Sequence, residues 1–60
     1  MNINANLEKA HFLLGVILKE QGKIEEAISR FKEALRIKPD YKEAETHLYE
    51  AYRILEKSKR

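Results

Sequence analysis

Two histidines and ten carboxylates are the residues of this 60-residue chain best suited to acid–base or metal chemistry. Glu43, His47 and Glu50 stand at i, i+4 and i+7. On a helix that spacing is one face, and carboxylates with an imidazole can hold a divalent ion. A solvated charged face explains the same spacing with no ion. Glu8 and His11 make one Glu-x-x-His step; a dinuclear carboxylate centre needs a second step and two further carboxylates, so that reading fails and His11 reads as a core-edge histidine. Nucleophilic catalysis needs a nucleophile held against a base. There is no cysteine, and beyond the three tyrosines the hydroxyls are Ser29, Thr46 and Ser58. Ser29 has no histidine near it in sequence, and no glycine-rich loop is present to cradle phosphate. The expectation is no catalytic residue, no metal and no cofactor.

The 12 basic and 10 acidic residues are interspersed, with a pI near 9.0. A nucleic-acid domain more often gathers its Lys and Arg on one face, so a mixed solvated surface is the simpler reading. The rival is a small three-helix nucleic-acid-binding domain using Arg30, Arg36, Lys38 and the tail Lys57-Ser58-Lys59-Arg60. Phosphate binding of that kind weakens steeply with salt, whereas an apolar contact does not.

A chain this short buries only about 60% of the surface it exposes unfolded, and domains of this size usually need a staple. Disulfides and zinc–thiolate sites are excluded by the absence of cysteine, which leaves oligomerisation or neighbouring domains. Against 37% charged residues, Phe12-Leu13-Leu14-Gly15-Val16-Ile17-Leu18 is conspicuously apolar. A membrane-spanning helix needs about 20 apolar residues, and this run is bounded by Lys9 and by Lys19-Glu20. A secretion signal needs a basic start and a small-residue cleavage site, which Asn2 to His11 does not supply. The default expectation is a soluble, cytoplasmic protein.

Punctuation divides the chain into three helices, over 6–21, 24–37 and 41–57, after a tail at 1–5. Gly22 can take the left-handed conformation that ends the first. Glu25 and Glu26 suit the first turn of the second. Asp40 is expected to cap the third, with Glu43 three residues on. Ile24, Ala27, Ile28, Phe31, Ala34 and Leu35 make one stripe, and Tyr41, Ala44, Leu48, Ala51, Tyr52 and Leu55 another; both helices are amphipathic. The first helix is apolar on two faces. Leu7, Ala10, His11, Leu14 and Leu18 form one, taken as the intramolecular face. Phe12 and Val16 project nearly opposite, with Leu13 and Ile17 on the flank. Neighbouring helices can cover only part of this surface, and the rest is available to a partner.

Shifting the chain by 34 residues lays Ala10 on Ala44, Leu14 on Leu48, Leu18 on Tyr52 and Lys19 on Arg53. The motif His11-x2-Leu14-Gly15-x2-Leu18, then Ala27-x3-Phe31, Ala34 and Pro39, resembles the tetratricopeptide repeat, a helix–turn–helix unit of that period. The resemblance covers one full repeat, about Glu8 to Tyr41, and the first helix of a second. It implies an all-α fold: a three-helix antiparallel arrangement in which a tetratricopeptide-like helical hairpin is followed by a capping helix, one and a half repeats of a right-handed α-solenoid within a single domain over 1–60. Gly15 and Ala27 would be small where the paired helices cross, with Leu14, Leu18 and Phe31 around them. His11 and Leu18 stand where the family often has aromatics. Tyr49 stands where Gly15 stands in the first helix and would obstruct a following helix, so the third helix is expected to be a terminal cap.

What the resemblance implies for function is a non-catalytic protein-interaction or self-assembly module. The first helices of such repeats line a groove for peptides or proteins. Here that surface would comprise Lys9, Phe12, Leu13, Val16, Lys19 and Glu20, then Glu43, Thr46, Glu50 and Arg53. Phe12 and Val16 replace the Lys and Asn by which one subset of the family grips C-terminal carboxylates, so a hydrophobic segment, a partner protein or a second copy meeting the first helix fits better. Phe12 and Val16 could instead pack on a preceding repeat.

Overall fold

The computed structural model describes residues 6–58. Three α-helices follow one another: α1 (Leu7–Glu20), α2 (Ile24–Ile37) and α3 (Lys42–Ser58). The tail at 1–5, with Lys59 and Arg60, lies outside the described residues. No described helix is long and apolar enough to cross a membrane.

The turns follow from their residues. Gly22 has φ of +85°, a region that a Cβ makes costly. Its N–H donates to the Lys19 carbonyl at 3.0 Å, and the Lys23 N–H donates to the Leu18 carbonyl at 2.9 Å. These two bonds satisfy carbonyls that the end of α1 would otherwise leave open. At the second turn Lys38 is extended (φ −132°, ψ 91°), as a residue preceding proline prefers. The Tyr41 N–H donates to the Lys38 carbonyl at 3.1 Å, closing a four-residue turn with Pro39 in its favoured second place. The cap expected at Asp40 is corrected. Because α3 begins at Lys42, the capping position is Tyr41, whose carbonyl accepts from the Glu45 N–H at 3.1 Å, and Asp40 lies one residue outside it.

α2 is the central element. It packs along α1 on one side and α3 on the other, while α1 and α3 meet only narrowly. Ala27, Ile28, Phe31, Leu48 and Ala51 form the buried core, with Phe12, Val16, Leu18, Ile24, Leu35 and Leu55 packed against it. Phe31 is fully enclosed. A Cβ built on Gly15 would lie 2.6 Å from Phe31 Cε1 and 2.8 Å from Cδ1, so α1 crosses α2 with its glycine against that ring.

This close approach fixes the rotation of α1 and corrects the expected assignment of its faces. With Gly15 turned to α2, Phe12 and Val16 fall on one side of the contact and His11 and Leu18 on the other, each a turn or less away. All four are half-buried. Phe12 and Val16 therefore belong to the intramolecular core and do not point away from it. Leu7, Ala10 and Leu14, expected inside, lie toward solvent. Leu7 is 62% exposed, Leu14 42%, Ile17 52% and Leu13 48%. A helix with apolar residues nearly all round leaves its inward side to be decided by the closest contact, and here that contact is Gly15 on Phe31.

Candidate functional site

The expected binding residues, apart from Glu43, Thr46 and Arg53, fall on two surfaces. The first runs where α1 meets α3. Phe12 sits among three rings: Phe31 at 6.0 Å between centroids, Tyr41 at 5.3 Å and His47 at 5.1 Å, the last nearly edge-on. Such tilted aromatic contacts are worth about 0.5–1.5 kcal/mol each beyond the area they bury. One turn beyond Val16, the Lys19 ammonium donates to His47 Nδ1 at 3.1 Å and to Glu50 Oε1 at 3.2 Å. An ammonium only donates, so His47 accepts through Nδ1 here. Lys19 is largely covered but Glu50 is half-exposed, so this pair contributes direction more than stability. The Lys38 ammonium stands 5.3 Å over the Tyr41 ring. Burial, and then the carboxylates of Glu43 and Glu8, push the Tyr41 phenol above its usual value. Of the residues named for binding, this surface holds Phe12, Val16, Lys19 and Glu50. Glu43, Thr46 and Arg53 are exposed on α3.

The second surface is the outer side of α1. Lys9, Leu13 and Glu20 lie there, beside Leu7, Ala10, Leu14 and Ile17, all exposed. Residues 7, 10, 14 and 17 follow a 3-4-3 spacing, a continuous apolar seam along one face. Leu7, Ala10, Leu14 and Ile17 were not among the expected binding residues. The signal that could have found them is the 34-residue correspondence. Leu14 corresponds to Leu48, Ala10 to Ala44 and Ile17 to Ala51. Ala44, Leu48 and Ala51 are buried, on a helix whose neighbour is α2. The equivalent side of α1 has no helix on it among the described residues.

The chemistry-bearing positions are engaged otherwise. No group of three or more His, Asp or Glu side chains able to hold a metal occurs among the described residues. His47, the centre of the Glu43–His47–Glu50 spacing, packs its ring on Phe12 and Phe31, the latter at 5.8 Å. His11 Nδ1 accepts from Arg30 Nη1 at 3.3 Å, the differently bonded substitute for an aromatic at that place. Of the basic residues weighed for phosphate binding, Arg30 is thus tied to His11 and Lys38 to Tyr41. Arg36 donates from Nε and Nη2 to the Glu33 carboxylate, at 2.9 Å for the shortest. That hydrogen bonding holds the Glu33 carboxyl below its ordinary value and raises that of Arg36. The pair lies open to solvent, where screening leaves such a contact little weight in stability.

On α3, Tyr49 is 59% exposed and Tyr52 is also open to solvent. The solvent-facing side of α3 is thus aromatic as well as charged.

No curated protein and no solved structure gives a significant match to the chain. The family model for the tetratricopeptide repeat does match, over residues 8–41. That span holds α1 from its second residue, the Gly22 turn, α2 and the Pro39 turn, with Gly15 against Phe31 at the crossing. Repeats of this family generally mediate contacts between proteins and are generally non-catalytic. The chain belongs to the tetratricopeptide repeat family.

Proposed function

We propose that this protein is a non-catalytic interaction module whose contact surface is the outer face of α1, and that this face receives an amphipathic helix from a protein partner. The observation carrying the reading is the exposure of Leu7, Leu13, Leu14 and Ile17 side by side, on a face whose 34-residue counterpart in α3 is buried. Apolar side chains exposed in a row mark interaction sites more often than isolated ones do, and a helix laid in a groove uses anchors at this spacing. The counterpart also supports a kind of partner, since the neighbour of α3 on that side is α2, an amphipathic helix with Ile24, Ile28 and Leu35 on its apolar stripe.

A peptide with the sequence of residues 23–38 is therefore the natural probe. Titrated into labelled protein, it is expected to move the NMR signals of Leu7, Leu14 and Ile17. Leu14→Glu is expected to weaken binding by about tenfold or more, because docking would then desolvate a carboxylate. Absence of binding at millimolar peptide contradicts the reading. So does perturbation confined to Phe12, Lys19, His47 and Glu50, which would move the contact surface to the junction of α1 and α3.

A further inference from the structure

The charged residues bordering the α1 seam point to a particular occupant. Lys9 and Glu20 are eleven positions apart, about three turns, so they line the same edge of the helix, one near each end. Leu13 lies between them, and the seam of Leu7, Ala10, Leu14 and Ile17 runs alongside. Both charged side chains are exposed, and among the described residues neither takes part in an ion pair.

Resting on the reading of this face as the interaction surface, we propose that it pairs with the same face of a second copy, α1 against α1 in antiparallel sense, about a two-fold axis close to Leu14. A two-fold interface sets a patch against itself. In the antiparallel arrangement Lys9 of each chain meets Glu20 of the other, twice over. In a parallel two-fold pair the same edge of the two helices falls on opposite sides of the interface, where Lys9 and Glu20 meet no charged partner from the other α1 edge, so the charges favour the antiparallel one. The seam is suited to this geometry. Leu14 lies next to the axis, where it meets its own copy, and Ile17 of one chain approaches the small Ala10 and neighbouring Leu14 of the other.

Sedimentation equilibrium over about 1–500 μM, a range in which interfaces of modest size dissociate, tests this. The wild-type mass is expected to rise from one chain of 7.1 kDa toward two. Leu14→Glu and Ile17→Glu are expected to stay monomeric throughout, with helicity by circular dichroism unchanged. Lys9→Glu or Glu20→Lys alone turns two attractions into two repulsions and is expected to raise the dissociation constant about tenfold. The double variant Lys9→Glu/Glu20→Lys is expected to return it to within about threefold of wild type. Wild-type protein monomeric at every concentration overturns the proposal, as does a dimer indifferent to Leu14→Glu. A dimer that the charge swap fails to restore overturns the antiparallel pairing. A monomer that still binds the 23–38 peptide through Leu14 and Ile17 would overturn the self-association alone and leave the interaction face standing; a monomer that binds no such peptide removes both.

Discussion

Phe31→Ala is expected to abolish cooperative unfolding, leaving a broad, sloping thermal trace by circular dichroism where the wild type gives a sigmoid. Phe31 has no accessible surface. Its ring meets Phe12 and His47 and takes the backbone of Gly15 against it. Removing a buried phenylalanine ring costs about 3–5 kcal/mol, for lost transfer energy and for the cavity left behind. A single core of this size rarely supplies more than about 3–5 kcal/mol in total. The loss therefore matches the whole stability of the domain, and the three helices lose the group at which α1, α2 and α3 come together. A Phe31→Ala protein with a sharp transition at the wild-type midpoint would show that the helices are held by something other than this core.

The second large effect concerns Gly15, and its sign is the informative part. In an exposed helix, replacing glycine by alanine stabilises by about 1 kcal/mol. Here the new methyl would stand 2.6 Å from Phe31 Cε1 and 3.0 Å from Cζ, distances at which one group has to move. The ring is enclosed and has nowhere to go without parting α1 from α2. Overpacking of this kind costs about 1–3 kcal/mol. Gly15→Ala is accordingly expected to lower stability in urea denaturation despite the gain in helix propensity. A double-mutant cycle with Phe31→Leu isolates the clash. The smaller side chain is expected to recover much of the alanine penalty, with a coupling of about 1 kcal/mol or more. Stabilisation by Gly15→Ala alone would mean that the helices do not approach each other through this residue.

The sequence made the elements legible because each boundary rests on local chemistry. Gly22 ends α1 through a positive φ that other residues adopt at a cost, and Pro39 ends α2 by restricting Lys38. The stripes of α2 and α3 were readable for the same reason: charged residues occupy the opposite side, so only one rotation buries the apolar atoms. α1 lacks that contrast. From Phe12 to Leu18 its residues are apolar in nearly every direction, and periodicity alone assigns them to two faces without ranking the faces. What ranks them is the approach of Gly15 to Phe31, a tertiary contact that turns Phe12 and Val16 inward and leaves Leu14 and Ile17 outside. The ring of His47 departs from expectation for a related reason. Its spacing with Glu43 and Glu50 reads as a solvated charged face, yet its surroundings are set by Phe12 and Phe31 from other helices, and no spacing within α3 carries that information. Lys9, Leu13 and Glu20, by contrast, remain on the outer side of α1 under either rotation, because helical spacing puts them well round the helix from Gly15.

α1 packs Phe12 into the core and leaves Ile17 on its outer face. The most direct measurement compares Phe12→Ala with Ile17→Ala in urea denaturation at protein concentrations on the order of 1 μM, low enough that association adds little to apparent stability. Phe12→Ala is expected to lose about 2 kcal/mol or more, from a half-buried ring packed on Phe31, Tyr41 and His47. Ile17→Ala is expected to stay within about 0.5 kcal/mol of wild type, as a substitution on an exposed helix face does. The reverse ranking, with Ile17→Ala unfolding the protein and Phe12→Ala harmless, would mean that α1 is turned the other way and that the partner surface lies across Phe12 and Val16.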